Sequence, residues 1–194
     1  QNQELNSGAP LMFIKIKDLE LRKLEFDESF APGAIELLED QLQTAPLKAS
    51  GRAELIRENR GAREVVEDIR LVGSFSTEVE VRCARCLDPV QNKLAEQFDL
   101  LYRPLGVDAT RDEVAISQAD TEIGYYQGEG LLLEDVLKEQ ILLALPVKQL
   151  CRANCKGLCP QCGKNLNVES CDCVAAMPDP RWSALEDIRK KLER

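Results

Sequence analysis

Eight cysteines and not one histidine constrain this chain more than any other feature it has. Six of the eight, Cys151, Cys155, Cys159, Cys162, Cys171 and Cys173, fall within residues 151–173, while Cys83 and Cys86 stand alone upstream. The lack of imidazole excludes serine triads, Cys–His dyads and histidine metal ligands. In the sequence as given no basic-then-apolar leader precedes the body, and a reducing, cytoplasmic setting is the expectation. There, closely spaced cysteines read as metal ligands before disulfides.

Cys159-Pro160-Gln161-Cys162-Gly163 has the sequence of a zinc knuckle. Two thiolates three residues apart grip one ion from a tight turn, and the glycine after the second permits the positive φ that aims backbone N–H groups at sulfur. Cys171-Asp172-Cys173 follows and offers two further ligands. Cys83-Ala84-Arg85-Cys86 is another spaced pair, half a site on its own, and its natural complement is Cys151 with Cys155. Two structural sites are therefore expected, Cys83/Cys86/Cys151/Cys155 and Cys159/Cys162/Cys171/Cys173, holding about two zinc ions. Six clustered cysteines allow other partitions. Closed four-thiolate sites leave no open position for water, so the reading is of a protein that is not an enzyme and has no small-molecule substrate. Flanking Arg82, Arg85, Lys156 and Lys164 either offset the negative charge of such sites or are plain solvated charges. A redox or iron–sulfur role for the same ligands is the less favoured reading, because a thioredoxin-like βαβ pattern does not surround Cys83 and Cys86.

The charge is divided unevenly. Lys and Arg number 25 against 34 Asp and Glu, a net −9. Residues 1–150 carry 17 basic and 28 acidic groups, whereas residues 151–194 carry eight basic and six acidic. An acidic body of this kind disfavours bulk electrostatic binding of phosphate backbones and favours basic protein partners. No apolar run approaches the ~20 residues of a membrane helix. No Walker loop or dinucleotide fingerprint occurs.

Periodicity predicts a strand over 11–21 and a helix over 34–43 with Ile35, Leu38 and Leu42 on one face. It predicts a strand over 48–57, a turn at Asn59-Arg60-Gly61, and a long half-buried strand over 69–83 that delivers Cys83 at its end. A hairpin through 83–89 leads into a second alternating strand bearing Leu94, Phe98, Leu100 and Tyr102. A loop over 110–120, a short strand over 122–127 and a helix over 131–145 ended by Pro146 follow. Asp179 and Pro180 begin a last helix with a stripe of Trp182, Leu185, Ile188 and Leu192. The expected fold class is α+β: an antiparallel, meander-rich sheet with two or three helices in a domain of residues 1–150, then a zinc-ribbon-like tail over 151–194.

Three stretches carry a resemblance: 81–90 (VRCARCLDPV), 133–147 (LEDVLKEQILLALPV) and 150–173 (LCRANCKGLCPQCGKNLNVESCDC). Together they resemble the YceD family of bacterial and plastid proteins, tied to accumulation of large-subunit ribosomal RNA. The resemblance implies a non-enzymatic role in ribosome biogenesis, with a large-subunit precursor or a basic ribosomal protein as partner. Some family members carry His at positions matching Cys151 and Cys155, which implies that these two pair with Cys83 and Cys86. The alternative reading is a stand-alone nucleic-acid-binding zinc module that uses Arg152, Lys156, Lys164 and the cluster at 189–191. On either reading the tail is the part expected to touch rRNA, and no membrane is involved.

Overall fold

The computed structural model describes residues 12–59, 65–107 and 123–173. Along these residues run β1 (Phe13–Lys15), α1 (Ile16–Leu21), β2 (Leu24–Phe30), β3 (Gln41–Gln43), β4 (Leu47–Asn59), β5 (Val65–Arg82), β6 (Pro89–Pro104), β7 (Ile123–Tyr126), β8 (Gly130–Leu132) and α2 (Leu133–Ala144). The turn at Arg60 and Gly61, the loop over 110–120 and the helix from Asp179 lie outside the described residues.

β5 is the spine. It runs 18 residues, longer at its start than predicted; from Ile69 on it alternates as the sequence predicts, with Ile69, Leu71, Phe75, Thr77 and Val79 buried on one face. At about 3.3 Å per residue it is roughly 60 Å long. It pairs antiparallel with β4 on one side and β6 on the other, so the three consecutive strands are neighbours in space. β2 extends the sheet beyond β4, and β3 lies beside the stretch of β5 that β4 leaves unpaired. β1 and β8 form a separate antiparallel pair. α2 buries Leu133, Val136, Leu137 and Ile141 against this core, the stripe that its spacing predicts, and gives way at Leu145 to a proline that cannot continue it.

Three expectations need correction. Residues 11–21 do not make one strand, because β1 stops after Lys15 and the chain turns into α1, where Leu19 is buried. Residues 34–43 do not form a helix. Ile35 is buried but Leu38 and Leu42 are exposed. The Gln43 side chain accepts the Ile35 N–H at 3.2 Å and donates to the Ala45 carbonyl at 2.9 Å, while β3 pairs with β5. Sheet pairing and one buried amide thus satisfy backbone groups that a helix would have paired within itself, and tertiary contact overrides propensity. The sheet is not wholly antiparallel either, because β7 runs parallel to β6. A parallel neighbour needs a long crossover, and residues 105–122 provide the length.

The two ends of the β5–β6 ladder are chemically different. Near one end Arg103, nearly buried, forms a forked pair with Asp68 at 3.1 and 2.9 Å and reaches Glu58 at 2.9 Å. The Tyr126 hydroxyl donates to the Glu67 carbonyl beside it. At the other end Arg82 pairs with Pro89, and Cys83 and Cys86 sit in the hairpin tip.

Between these ends the strands approach closely at a glycine pair. Gly51 of β4 lies opposite Gly73 of β5, and the rings of Phe26 and Phe98 lie against them. A Cβ on Gly73 would fall 2.6 Å from the Ser50 carbonyl oxygen and 2.9 Å from the tip of Phe98. Gly73→Ala is expected to cost about 1–3 kcal/mol through overpacking, read as a lower urea midpoint at unchanged slope.

Candidate metal centre

The eight cysteines lie in two groups of four: Cys83, Cys86, Cys151 and Cys155, and Cys159, Cys162, Cys171 and Cys173. Within each group all sulfurs lie within 4.8 Å of one another. In the first, Cys83 and Cys155 sulfurs are 3.9 Å apart and Cys86 and Cys151 sulfurs 3.5 Å apart. A tetrahedron with zinc–sulfur bonds of ~2.3 Å has edges of about 3.8 Å, so the spacing fits one ion held by four thiolates.

Two similar turns present the paired ligands. The Gly163 N–H donates to the Cys159 carbonyl at 2.9 Å, and the Leu87 N–H donates to the Cys83 carbonyl at 3.0 Å. The residue after each Cys-x-x-Cys is left-handed, Gly163 at φ 72° and Leu87 at φ 64°. The glycine adopts this freely; the leucine does so at a cost of about 1–2 kcal/mol, held there by the hairpin around it. The turn points N–H groups at the first sulfur of each pair. The Cys86 N–H, helped by those of Arg85 and Cys151, draws the Cys83 thiol down to about 6 against the opposing effect of burial. The N–H groups of Cys162 and Gln161 draw Cys159 down to about 6.

The partners behave oppositely. The Asp88 N–H favours the Cys86 thiolate, but burial, the Asp88 carboxylate and the neighbouring sulfurs hold this thiol well above its usual range. Cys173 is pushed up to about 12, chiefly by Cys162. In the first group Cys155 is also drawn down, against burial, by the Asn167 amide and the Gly157 N–H, so each group favours some of its thiolates and resists having four. A dication at the centre removes that resistance, which is the chemical fit between this donor set and a metal ion.

The first group ties together distant parts of the chain, since Cys86 and Cys151 are 65 residues apart. The docking runs through Arg85. Its carbonyl accepts the Leu158 N–H at 3.0 Å, and its guanidinium donates to the Cys155 carbonyl at 2.8 Å. The Ala84 N–H donates to the Gln149 carbonyl at 2.8 Å. Gly157, at φ 77°, passes so near that a Cβ would fall 3.0 Å from the Arg85 carbonyl oxygen. Of the four basic residues flanking the cysteines, Arg85 is thus a docking residue, and Lys164 pairs with Glu169 at 3.5 Å. Spacing did not single out Asp88, Asn165 or Asn167. Asn165 donates to the Asp88 carboxylate at 3.2 and 3.1 Å, and the Asn167 amide donates to Cys155 sulfur at 3.3 Å. The one sequence signal for them is the Asn-Leu-Asn run, a turn-forming pattern whose Asn167 N–H bonds the Asn165 side chain at 3.0 Å.

Fold and site together define a sheet-dominated protein with a C-terminal cysteine cluster, two of whose thiols close over a strand hairpin with two from its tip. The chain belongs to the YceD family: the model of the large ribosomal RNA subunit accumulation protein YceD matches residues 71–189. It is 30% identical over 165 residues to an uncharacterised protein of Mycobacterium tuberculosis, covering 81% of this chain and 75% of that one. An uncharacterised protein of Bacillus subtilis is 25% identical over 172 residues, covering 88% of this chain and 90% of its own length. The chloroplastic large ribosomal RNA subunit accumulation protein YCED homolog 1 of Arabidopsis thaliana is 23% identical over 147 residues, 65% of this chain and 46% of that protein. No solved structure matches the chain. Among the described residues no helix is long and apolar enough to cross a membrane.

Arg85→Ala and Gly157→Ala are each expected to weaken docking of the tail on the hairpin by about 1–2 kcal/mol, through a lost charged hydrogen bond and a left-handed alanine respectively. Limited proteolysis should cut both variants faster than the parent around residues 146–152, with the sheet left intact.

Proposed function

We propose that this chain is a non-enzymatic factor that supports large-subunit rRNA accumulation by binding, and that its two cysteine groups hold structural zinc. The observation that carries the reading is the closed, four-thiol form of both groups, one of which joins residues 151–155 to the hairpin of the body. Zinc held by four thiolates has no position left for water or substrate, so it orders the chain rather than reacting. Cys83, Cys86, Cys151 and Cys155 would hold one ion, and Cys159, Cys162, Cys171 and Cys173 the other. Zinc is favoured over an iron–sulfur cluster because the Cys-Pro-x-Cys-Gly turn followed by Cys-x-Cys suits a single tetrahedral ion. Elemental analysis of protein purified without added metal should return about two zinc ions per chain. A value near zero would refute the metal reading, and a coloured protein would point to iron.

The family membership supports a place in the cytoplasm on a precursor of the large ribosomal subunit. The division of charge supports a contact in two parts. Residues 1–150, with 28 acidic and 17 basic groups, suit a basic ribosomal protein and repel bare RNA. Residues 151–194, mildly basic and carrying exposed Arg152 and Lys156, would reach only a few phosphates of rRNA. The isolated protein is therefore expected to bind naked rRNA weakly across a salt series and to recover large-subunit precursors from lysate. Tight RNA binding with a salt slope demanding about six or more phosphate contacts would instead favour the nucleic-acid module.

A further inference from the structure

The loop between Cys162 and Cys171 has its ends in the second cysteine group and its middle against the first. Asn167 donates its side-chain amide to Cys155 sulfur at 3.3 Å, and its side-chain oxygen accepts the Lys156 N–H at 2.8 Å. Asn165 donates to both carboxylate oxygens of Asp88, and that carboxylate lies 3.2 Å from Cys86 sulfur. The two asparagines are locked together, with the Asn167 N–H and amide both donating to the Asn165 side-chain oxygen at 3.0 and 2.9 Å. Between them the Leu166 N–H donates to the Gly157 carbonyl at 2.9 Å, and the Cys159 N–H donates to the Lys164 carbonyl at 2.8 Å. One loop thus touches two ligands of the first group, Cys155 directly and Cys86 through Asp88, while being anchored by ligands of the second.

This arrangement makes the two groups share the cost of ordering one segment. Gathering Cys159, Cys162, Cys171 and Cys173 on an ion fixes both ends of the loop, so Asn165 and Asn167 are already in place when the first group fills. The reverse holds equally, because linkage between two binding equilibria is reciprocal.

We propose that Asn165 and Asn167 are positioning residues of the first cysteine group, and that metal bound at either group raises the affinity of the other through their loop. The inference rests on the metal reading above.

Native mass spectrometry of the full chain, titrated with Zn²⁺ from the metal-free state to an average of one ion per chain, reads the coupling directly. Independent sites leave at least half of the molecules with one ion, whether their affinities are equal or not. A tenfold coupling between equal sites reduces that share to about one quarter. The expected result is a one-ion species well below half in the parent and back at half or more in Asn167→Ala. A one-ion share in the parent no lower than in Asn167→Ala overturns the coupling through this loop. A chain that takes up no Zn²⁺ at saturation refutes the metal reading instead.

Competition titration with a chromophoric chelator then separates positioning from local structure. Asn167→Ala should lower the affinity of the first group about 10–100-fold when the second is intact. In a Cys162→Ser background the same substitution should change it by less than about twofold, since the loop is already loose. An equal loss in both backgrounds would show that Asn167 acts locally and would overturn the proposal. The mass spectra of the parent and Asn167→Ala decide the question even if Cys162→Ser does not fold.

Discussion

Docking of residues 149–158 onto the β5–β6 hairpin is the contact on which the rest of this molecule is arranged. The hairpin tip presents Cys83 and Cys86 at the end of an antiparallel ladder that runs back to Ile69 and Tyr102. The incoming tail supplies Cys151 and Cys155, and Arg85 fastens it with backbone and side chain together. Closing so long a segment is unfavourable, but the cost grows only logarithmically with its length. A dication gathering four sulfurs would outweigh it, because structural zinc supplies folding free energy that a small apolar patch does not. That patch is small among the described residues, where Val90, Leu150 and Leu158 pack around Cys83, Cys86 and Cys155.

The sheet prepares this contact rather than merely carrying it. The close approach of Gly51 and Gly73, with Phe26 and Phe98 against them, holds the middle of the β4–β5–β6 ladder. The forked Arg103–Asp68 pair occupies the far end, where breaking one partner would strand a buried charge. The hairpin tip continues this ladder, and its N–H groups converge on the Cys83 sulfur. The same turn recurs at Cys159 and Cys162, so two turns far apart in the chain use the same backbone device to favour a thiolate.

Much of this was readable from residue order. The alternation along β5 and β6, the stripe on α2, the hairpin at 83–89 and the left-handed Gly163 are local patterns, each set by the period of a single element or by one residue's steric freedom. The division of the cysteines into two groups was legible as the simplest partition, though six close cysteines permitted others. Where reading failed, a distant strand intervened. Residues 34–43 have helical spacing, yet β5 offered a ladder and Gln43 offered its amide. The short strand β7 was legible as a strand over 122–127, but its parallel direction is set by pairing with a distant strand, which no local pattern encodes.

The sequence by itself determined the chemistry available: thiolates without imidazole, an acidic body, a mildly basic tail, and a knuckle whose glycine permits its turn. Those properties follow from composition and from spacings of two or three residues. Tertiary structure alone decided which sulfurs face one another across 65 residues. It also decided that Leu87 takes the left-handed position that a glycine fills in the other turn. It placed Asn165 and Asn167 against Asp88 and Cys155, because hydrogen bonds between residues more than ten positions apart are set by how whole segments dock and leave no period in the chain.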